Sequence, residues 1–194
     1  MRNKNTKKLV TTALLTAVIV VLQTVASGIR IGPFTPTLSL IPIIIGALLY
    51  GPMVGGFLGA VFGVIVIIGV LSGTEPMSTM MMQSNPVMTV TLCMAKGIAA
   101  GMIPALVYRV LKDKNDLLAT SLAAILAPIS NTGIFCLGLI AVFLPVAEKF
   151  AAEWGFGSVA KFLFVGIIGG NFLFELALNA VLVPVVKRVL KVID

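Results

Sequence analysis

Lys96 lies near the middle of one apolar run, Pro86 to Tyr108, and another apolar run carries Asn171, Glu175 and Asn179 at intervals of four. A lysine brings three N–H donors and a positive charge. An asparagine offers donors and an acceptor, and an ionised glutamate only accepts. In hydrocarbon such groups are costly and mark a solute or ion path unless they pair with one another. Asn131, flanked by Ser130 and Thr132, interrupts a third apolar run. The ionisable pair has two readings. In one, Lys96 and Glu175 neutralise each other inside the protein. In the other, Glu175 braces the helices while Lys96 meets an anionic ligand helped by Asn131 and Asn171.

The elements that hold these residues follow from composition. The chain is 59% hydrophobic and 11% charged, with a mean hydropathy of +1.13. That is an all-α integral membrane protein, not a soluble domain. Apolar stretches at 9–29, 36–50, 53–72, 86–108, 117–147 and 158–186 predict six transmembrane helices in a single membrane-embedded domain over residues 1–194. The stretch 36–50 is short and contains Pro42 and Gly46, so five spans with a re-entrant element is the competing count. The first stretch is longer than the roughly 7–15 residues of a secretory h-region and is read as a retained span.

Basic residues orient the bundle. Arg2, Lys4, Lys7, Lys8, Arg109, Lys112, Lys114, Lys187, Arg188 and Lys191 fall on one side, ten of the fourteen in the chain. The positive-inside rule puts that side, and both termini, in the cytoplasm. The net charge of +7 reflects this bias and is no sign of nucleic-acid binding; the inner face suits anionic lipid. With no histidine and two cysteines, Cys93 and Cys136, in predicted spans, no catalytic dyad, metal cluster or disulfide framework is expected.

On this topology a rise of 1.5 Å per residue puts Lys96 about 15 Å below the outer edge, Asn171 about 18 Å and Glu175 about 24 Å. Asn131 lies about 21 Å above the inner edge. The amine of Lys96 and the amides of Asn131 and Asn171 can therefore converge if their helices are neighbours. Glu175 and Asn179 continue the face of Asn171, because residues four apart align. Gln23, Thr24 and Thr91 lie towards the outer ends of their spans and are weaker candidates. Outside the bundle, residues 30–39 (RIGPFTPTLS) combine two prolines with three hydroxyls. Residues 73–86 (GTEPMSTMMMQSNP) are methionine-rich, with amides at Gln83 and Asn85. The latter segment suits either a lid over a pocket or a loose connector in the headgroups. Arg30 suits an anion entrance or a lipid phosphate, and Trp154 an interfacial anchor. Gly55, Gly56, Gly59 and Gly63 open the third span and predict close helix packing.

The segment 35–55, TPTLSLIPIIIGALLYGPMVG, with its IP…IG…GP pattern, resembles the second-span region of the substrate-binding S components of energy-coupling factor (ECF) transporters, the bacterial vitamin importers. Asn171-Phe172-Leu173-Phe174-Glu175 followed by Asn179 resembles a polar pattern of that family's sixth span. Ala13 and Ala17 fit its first-span AxxxA pattern. The resemblance implies a multi-pass protein of the bacterial cell membrane. It implies an ECF transmembrane coupling protein contacted through Ala13 and Ala17, two separate ATPase subunits, and a small water-soluble vitamin as substrate. Independently of it, two alanines on one helix face permit close approach by any helix, including one of this chain. The chain has no G-x-x-x-x-G-K-[ST] loop of its own, and no cofactor is expected.

One Trp and two Tyr leave little aromatic surface for stacking a flat ring, which counts modestly against riboflavin, folate and thiamine, while Phe34, Phe135 and Phe172 keep those vitamins open. One buried lysine among amides and hydroxyls suits a flexible, singly negative solute. Pantothenate, with one carboxylate, an amide and two hydroxyls, is the leading choice, and the second-span region looks most like the pantothenate-specific members. Another vitamin such as riboflavin or folate, a stand-alone secondary transporter and a structural membrane subunit are the alternatives.

Overall fold

The structure, a computed structural model, describes residues 4–28, 35 and 37–193. Arg30, Phe34 and the charged Arg2 and Asp194 lie outside the described residues. The described chain is helical: α1 (Lys4–Ser27), α2 (Leu40–Tyr50), α3 (Pro52–Leu71), α4 (Pro76–Ser84), α5 (Pro86–Leu111), α6 (Asp116–Val142), α7 (Leu144–Glu153), α8 (Val159–Lys161), a π-helix (Phe162–Phe172), α9 (Leu173–Val181) and α10 (Val183–Ile193). Five helices are long and apolar enough to cross a bilayer: α1, α3, α5, α6 and the continuous stretch Val159–Val181.

Helix α2 explains why its sequence signal is weak. Its 11 residues rise about 16 Å, roughly half the hydrocarbon thickness. Eight of the 11 are buried, against α1, α3, α5 and α6. Protein surrounds it, so neither length nor an uninterrupted apolar run is demanded of it.

The seam that positions the interior is the antiparallel contact of α3 with α5. Gly55, Gly59 and Gly63 recur every fourth residue and face Gly101, Gly97 and Cys93. A Cβ placed on Gly59 would overlap the carbonyl oxygen of Gly97, and one on Gly101 that of Gly55; at Gly63 it would sit 3.0 Å from the Cys93 oxygen. Only glycine lets two backbones come this close. Around the seam, Ile19, Leu40, Ile43, Ile44, Leu58 and Phe62 form one apolar core.

A second core closes the end opposite the basic one. Met77 and Met81 of α4 pack there with Leu139, Phe143, Phe150 and Phe162. The segment expected as a lid or a loose connector is thus an ordered helix. Pro76 opens it at a position that suits proline, and its methionines fill irregular gaps. Trp154 follows α7, stays 44% exposed and stacks on Phe150 at 5.9 Å between ring centroids. At the basic end, Asp116 pairs with Lys187 at 2.9 Å and accepts from the Tyr108 hydroxyl at 3.0 Å. These bonds tie the α5–α6 turn to α10.

Candidate functional site

The position of Lys96 is set by the glycine seam. The residue beside it, Gly97, is locked against Gly59, which sets the depth and rotation of α5 against α3. The ammonium lies 5.9 Å from the centroid of Phe62 on α3 and 4.9 Å from that of Phe135 on α6. Ring faces stabilise a cation by roughly 0.5–2 kcal/mol without using its N–H donors. The ion pairs of the described residues lie elsewhere, Lys149–Glu153 at 4.0 Å and Lys187–Asp116, so Lys96 and Glu175 are not paired at this distance.

The space Lys96 faces is a cavity of about 70 Å³, several times what one ordered water needs. Gln23 of α1, Asn131, Thr132 and Phe135 of α6, and Ile167 and Asn171 of the π-helix line it with Phe62 and Lys96. Thr35, Thr37, Glu75, Met77 and Ser78 lie over it from the connecting segments. The hydroxyls of residues 35–39 hold that cover in place. Thr35 donates to Glu75 Oε1 at 2.6 Å and Ser39 to Gln23 Oε1 at 2.9 Å.

Glu175 is fully buried under this cavity. Asn171 donates to its Oε1 at 3.0 Å, as the four-residue spacing predicts. Asn179 turns back to the Glu175 carbonyl at 2.7 Å. The carboxyl is therefore braced by the π-helix through Oε1, while its Oε2, like the Oδ1 of Asn131, is buried without a hydrogen-bond partner among the described residues, and Lys96 lines the cavity.

The structure brings Lys96, Asn131 and Asn171 to one cavity, with Glu175 behind them. It leaves three predicted residues outside. Gln83 is exposed on α4. Asn85 caps α5, its side chain accepting from Met88 N at 3.1 Å, the ordinary use of an asparagine before Pro86. Thr91 is exposed and bonds its own helix at the Val87 carbonyl. Thr24 does the same at Val20, as does Ser130 at Leu126, whereas Thr132 faces the cavity. Sequence reasoning names Phe135 only as a surface on which a flat ring could stack and assigns no site role to Phe62, Thr35, Thr37, Glu75 or Ser78. Of these, Thr35 and Thr37 alone carry a signal, as hydroxyls in a proline-bearing segment.

The family model described as "ECF transporter, substrate-specific component" matches residues 7–187. The chain belongs to that family. The pantothenic acid transporter PanT of Lactococcus lactis subsp. cremoris is 30% identical over 155 residues, 76% of this chain and 79% of that protein. ThiT from Listeria monocytogenes has the same fold, with a TM-score of 0.61 at 18% identity over 97% of this chain and 99% of that one. This S component is thus a non-catalytic subunit of vitamin transport and a bacterial multi-pass membrane protein with an S-component fold. Its Ala13 and Ala17 are exposed on the outer face of α1, and Ala13 lines an apolar groove with Leu9, Met53 and Phe57.

Proposed function

We propose that this S component captures pantothenate and carries it across the membrane for an ATP-driven ECF importer, with the transmembrane coupling protein and two ATPase subunits as partners. It acts as one unit over residues 1–194, with six membrane-inserted helices once α2 is counted and both termini in the cytoplasm. The basic bias supports this orientation, because the cluster at Lys4, Lys7, Lys8, Arg109, Lys112 and Lys187 shares one end. One observation carries the substrate reading: a single lysine beside two phenyl rings lines a cavity that it shares with the amides of Gln23, Asn131 and Asn171. That geometry suits one carboxylate on a polar, flexible body. The two rings are already engaged with the cation, which leaves no clear stacking platform for a flavin or pterin. The pantothenic acid transporter of L. lactis adds the same solute from a relative.

Mass spectrometry of the ligand released from the purified intact chain tests the substrate. Pantothenate, or tight binding of added pantothenate, is expected. A bound flavin or folate that pantothenate does not displace overturns it. In liposomes, uptake is expected only with the coupling and ATPase subunits present, and sustained gradient-driven uptake by the chain alone overturns the importer reading.

The first helix provides a second test. Ala13 and Ala17 present little bulk on an exposed helix face, which suits close approach of a partner helix. Replacing both with Leu should weaken co-purification with the coupling protein and lower uptake by about tenfold or more, about 1.4 kcal/mol. Pantothenate affinity should change little, since neither alanine lines the cavity. Lost binding with intact assembly would refute the interface.

A further inference from the structure

At the basic end, away from the solute cavity, α1 begins with lysines that no counter-charge explains. Lys4, Lys7 and Lys8 share one face, since residues three and four apart align. Like charges at this spacing repel, and the first turn of α1 holds no acidic residue to offset them. The ion pairs of the described residues, Lys149–Glu153 and Lys187–Asp116, involve none of the three. All three line a cavity of about 350 Å³ with Leu49 and Tyr50 from the end of α2 and Ile193 from the end of α10. The Tyr50 hydroxyl is buried with no hydrogen-bond partner among the described residues. A hydroxyl can donate to the oxygen of an anion. Three ammonium groups thus share a cavity with a donor that lacks an acceptor.

Lys8 lines a second space as well. A groove of about 660 Å³ lies between α1 and α3, lined by Lys8, Leu9, Ala13, Met53, Val54 and Phe57. From Lys8 to Thr16, which also lines it, α1 rises about 12 Å. Because α1 is long and apolar enough to cross a bilayer, this groove runs from headgroup level into hydrocarbon. Among the described residues no acidic side chain lines either space.

We propose that the free S component holds one anionic phospholipid here. Its phosphate lies among Lys4, Lys7, Lys8 and the Tyr50 hydroxyl, and an acyl chain lies in the α1–α3 groove. Lipid tails are as apolar as leucine, so apolar contact gives little net gain within a bilayer. The groove therefore sets where the lipid sits, and the lysines set which headgroup it carries. Each lysine near an anionic headgroup contributes about fivefold in affinity before screening by salt. The coupling protein proposed to contact Ala13 takes the same groove, so the lipid belongs to the unassembled subunit.

Native mass spectrometry of the intact S component tests the site, with phosphatidylglycerol and phosphatidylcholine of identical acyl chains titrated in. One phosphatidylglycerol should be retained per chain, preferred about tenfold or more over phosphatidylcholine. Changing Lys4, Lys7 and Lys8 together to Gln should cut that preference below about threefold. Changing Arg109, Lys112 and Lys114 to Gln removes the same charge from the same end, outside both spaces, and should leave the preference intact. Ala13→Leu, which adds bulk in the groove, should weaken retention of both lipids, and Tyr50→Phe that of phosphatidylglycerol alone. Pantothenate binding should survive in every variant, since none of these residues lines its cavity. Equal loss in the two triple variants overturns the proposal, because net charge alone then attracts the lipid. Displacement of the lipid by millimolar inorganic phosphate overturns it in favour of a free-phosphate site. A lipid-free dimer in place of the lipid-bound monomer assigns the groove to a second copy and overturns it too.

Discussion

Replacing Gly59 with Leu is expected to abolish pantothenate binding and to lower the unfolding temperature of the purified protein. Even Gly59→Ala should be destabilising. In an open helix that change is favourable by about 0.8–1 kcal/mol, but here the added methyl overlaps the Gly97 carbonyl, and backbone against backbone cannot yield. Overpacking costs about 1–3 kcal/mol, which outweighs the propensity gain, and Leu adds three further carbons at the same place. The helices must separate, and α5 then carries Lys96 away from Phe62 and Phe135. Gly133→Ala is the matched control, because a Cβ there meets nothing within 4 Å; it should be neutral or slightly stabilising. Unfolding temperature and affinity both unchanged in Gly59→Ala would rule out the seam as the element that sets the site.

Half of that seam was legible in the chain. Glycines at every fourth position of α3 are conspicuous, whereas Gly97 and Gly101 on α5 repeat the spacing beside a lysine that drew attention to itself. The same contrast runs through the site. Lys96, Asn131 and Asn171 stood out because a polar residue in an apolar run has few innocent explanations. Phe62 did not, since a phenylalanine in an apolar run is background, and Phe135 drew notice only as a surface for a flat ring, not as a partner of the lysine. Thr35, Thr37 and Glu75 come from polar segments, where nothing local separates a cavity-lining group from a solvated one. Gln83, Asn85 and Thr91 show the converse: each is polar near the site by sequence, yet local helix geometry consumes or exposes it.

Depth was the least transferable inference. The estimates for Asn171 and Glu175 assume an α-helical rise from Val159, but Phe162–Phe172 is π-helical. A wider turn advances less per residue and changes the phase of the residues after it. Gly166, Gly169 and Gly170 reduce side-chain crowding through this stretch, and its outcome is functional. Ile167 and Asn171 both reach the cavity, while α9 restores the ordinary repeat that stacks Asn171 on Glu175. Irregular π turns gather at functional sites for this reason. The glycine seam and the π-helix thus do complementary things. One fixes the cation against its rings, and the other turns an amide from the far side of the bundle towards it.

Lys96→Met should then give the largest selective loss of binding. Methionine keeps most of the unbranched stem and packs well against aromatic rings, so the contact with Phe62 and Phe135 survives while the charge is removed. Truncating one partner of a buried charge pair costs about 2–5 kcal/mol. Lys96 is only partly buried, so the lower half of that range applies, roughly 30- to 300-fold in affinity. Pantothenyl alcohol, which has a hydroxyl in place of the carboxylate, separates recognition from structure. The substitution should cost the acid most of its affinity and the alcohol little. Because Lys96 is not ion-paired with Glu175 within 4.0 Å, the fold should persist, and the unfolding temperature without ligand should shift by only a few degrees. Equal losses for acid and alcohol, with a collapse in unfolding temperature, would instead make Lys96 a structural counter-charge to the buried Glu175 and remove it from the recognition of the solute.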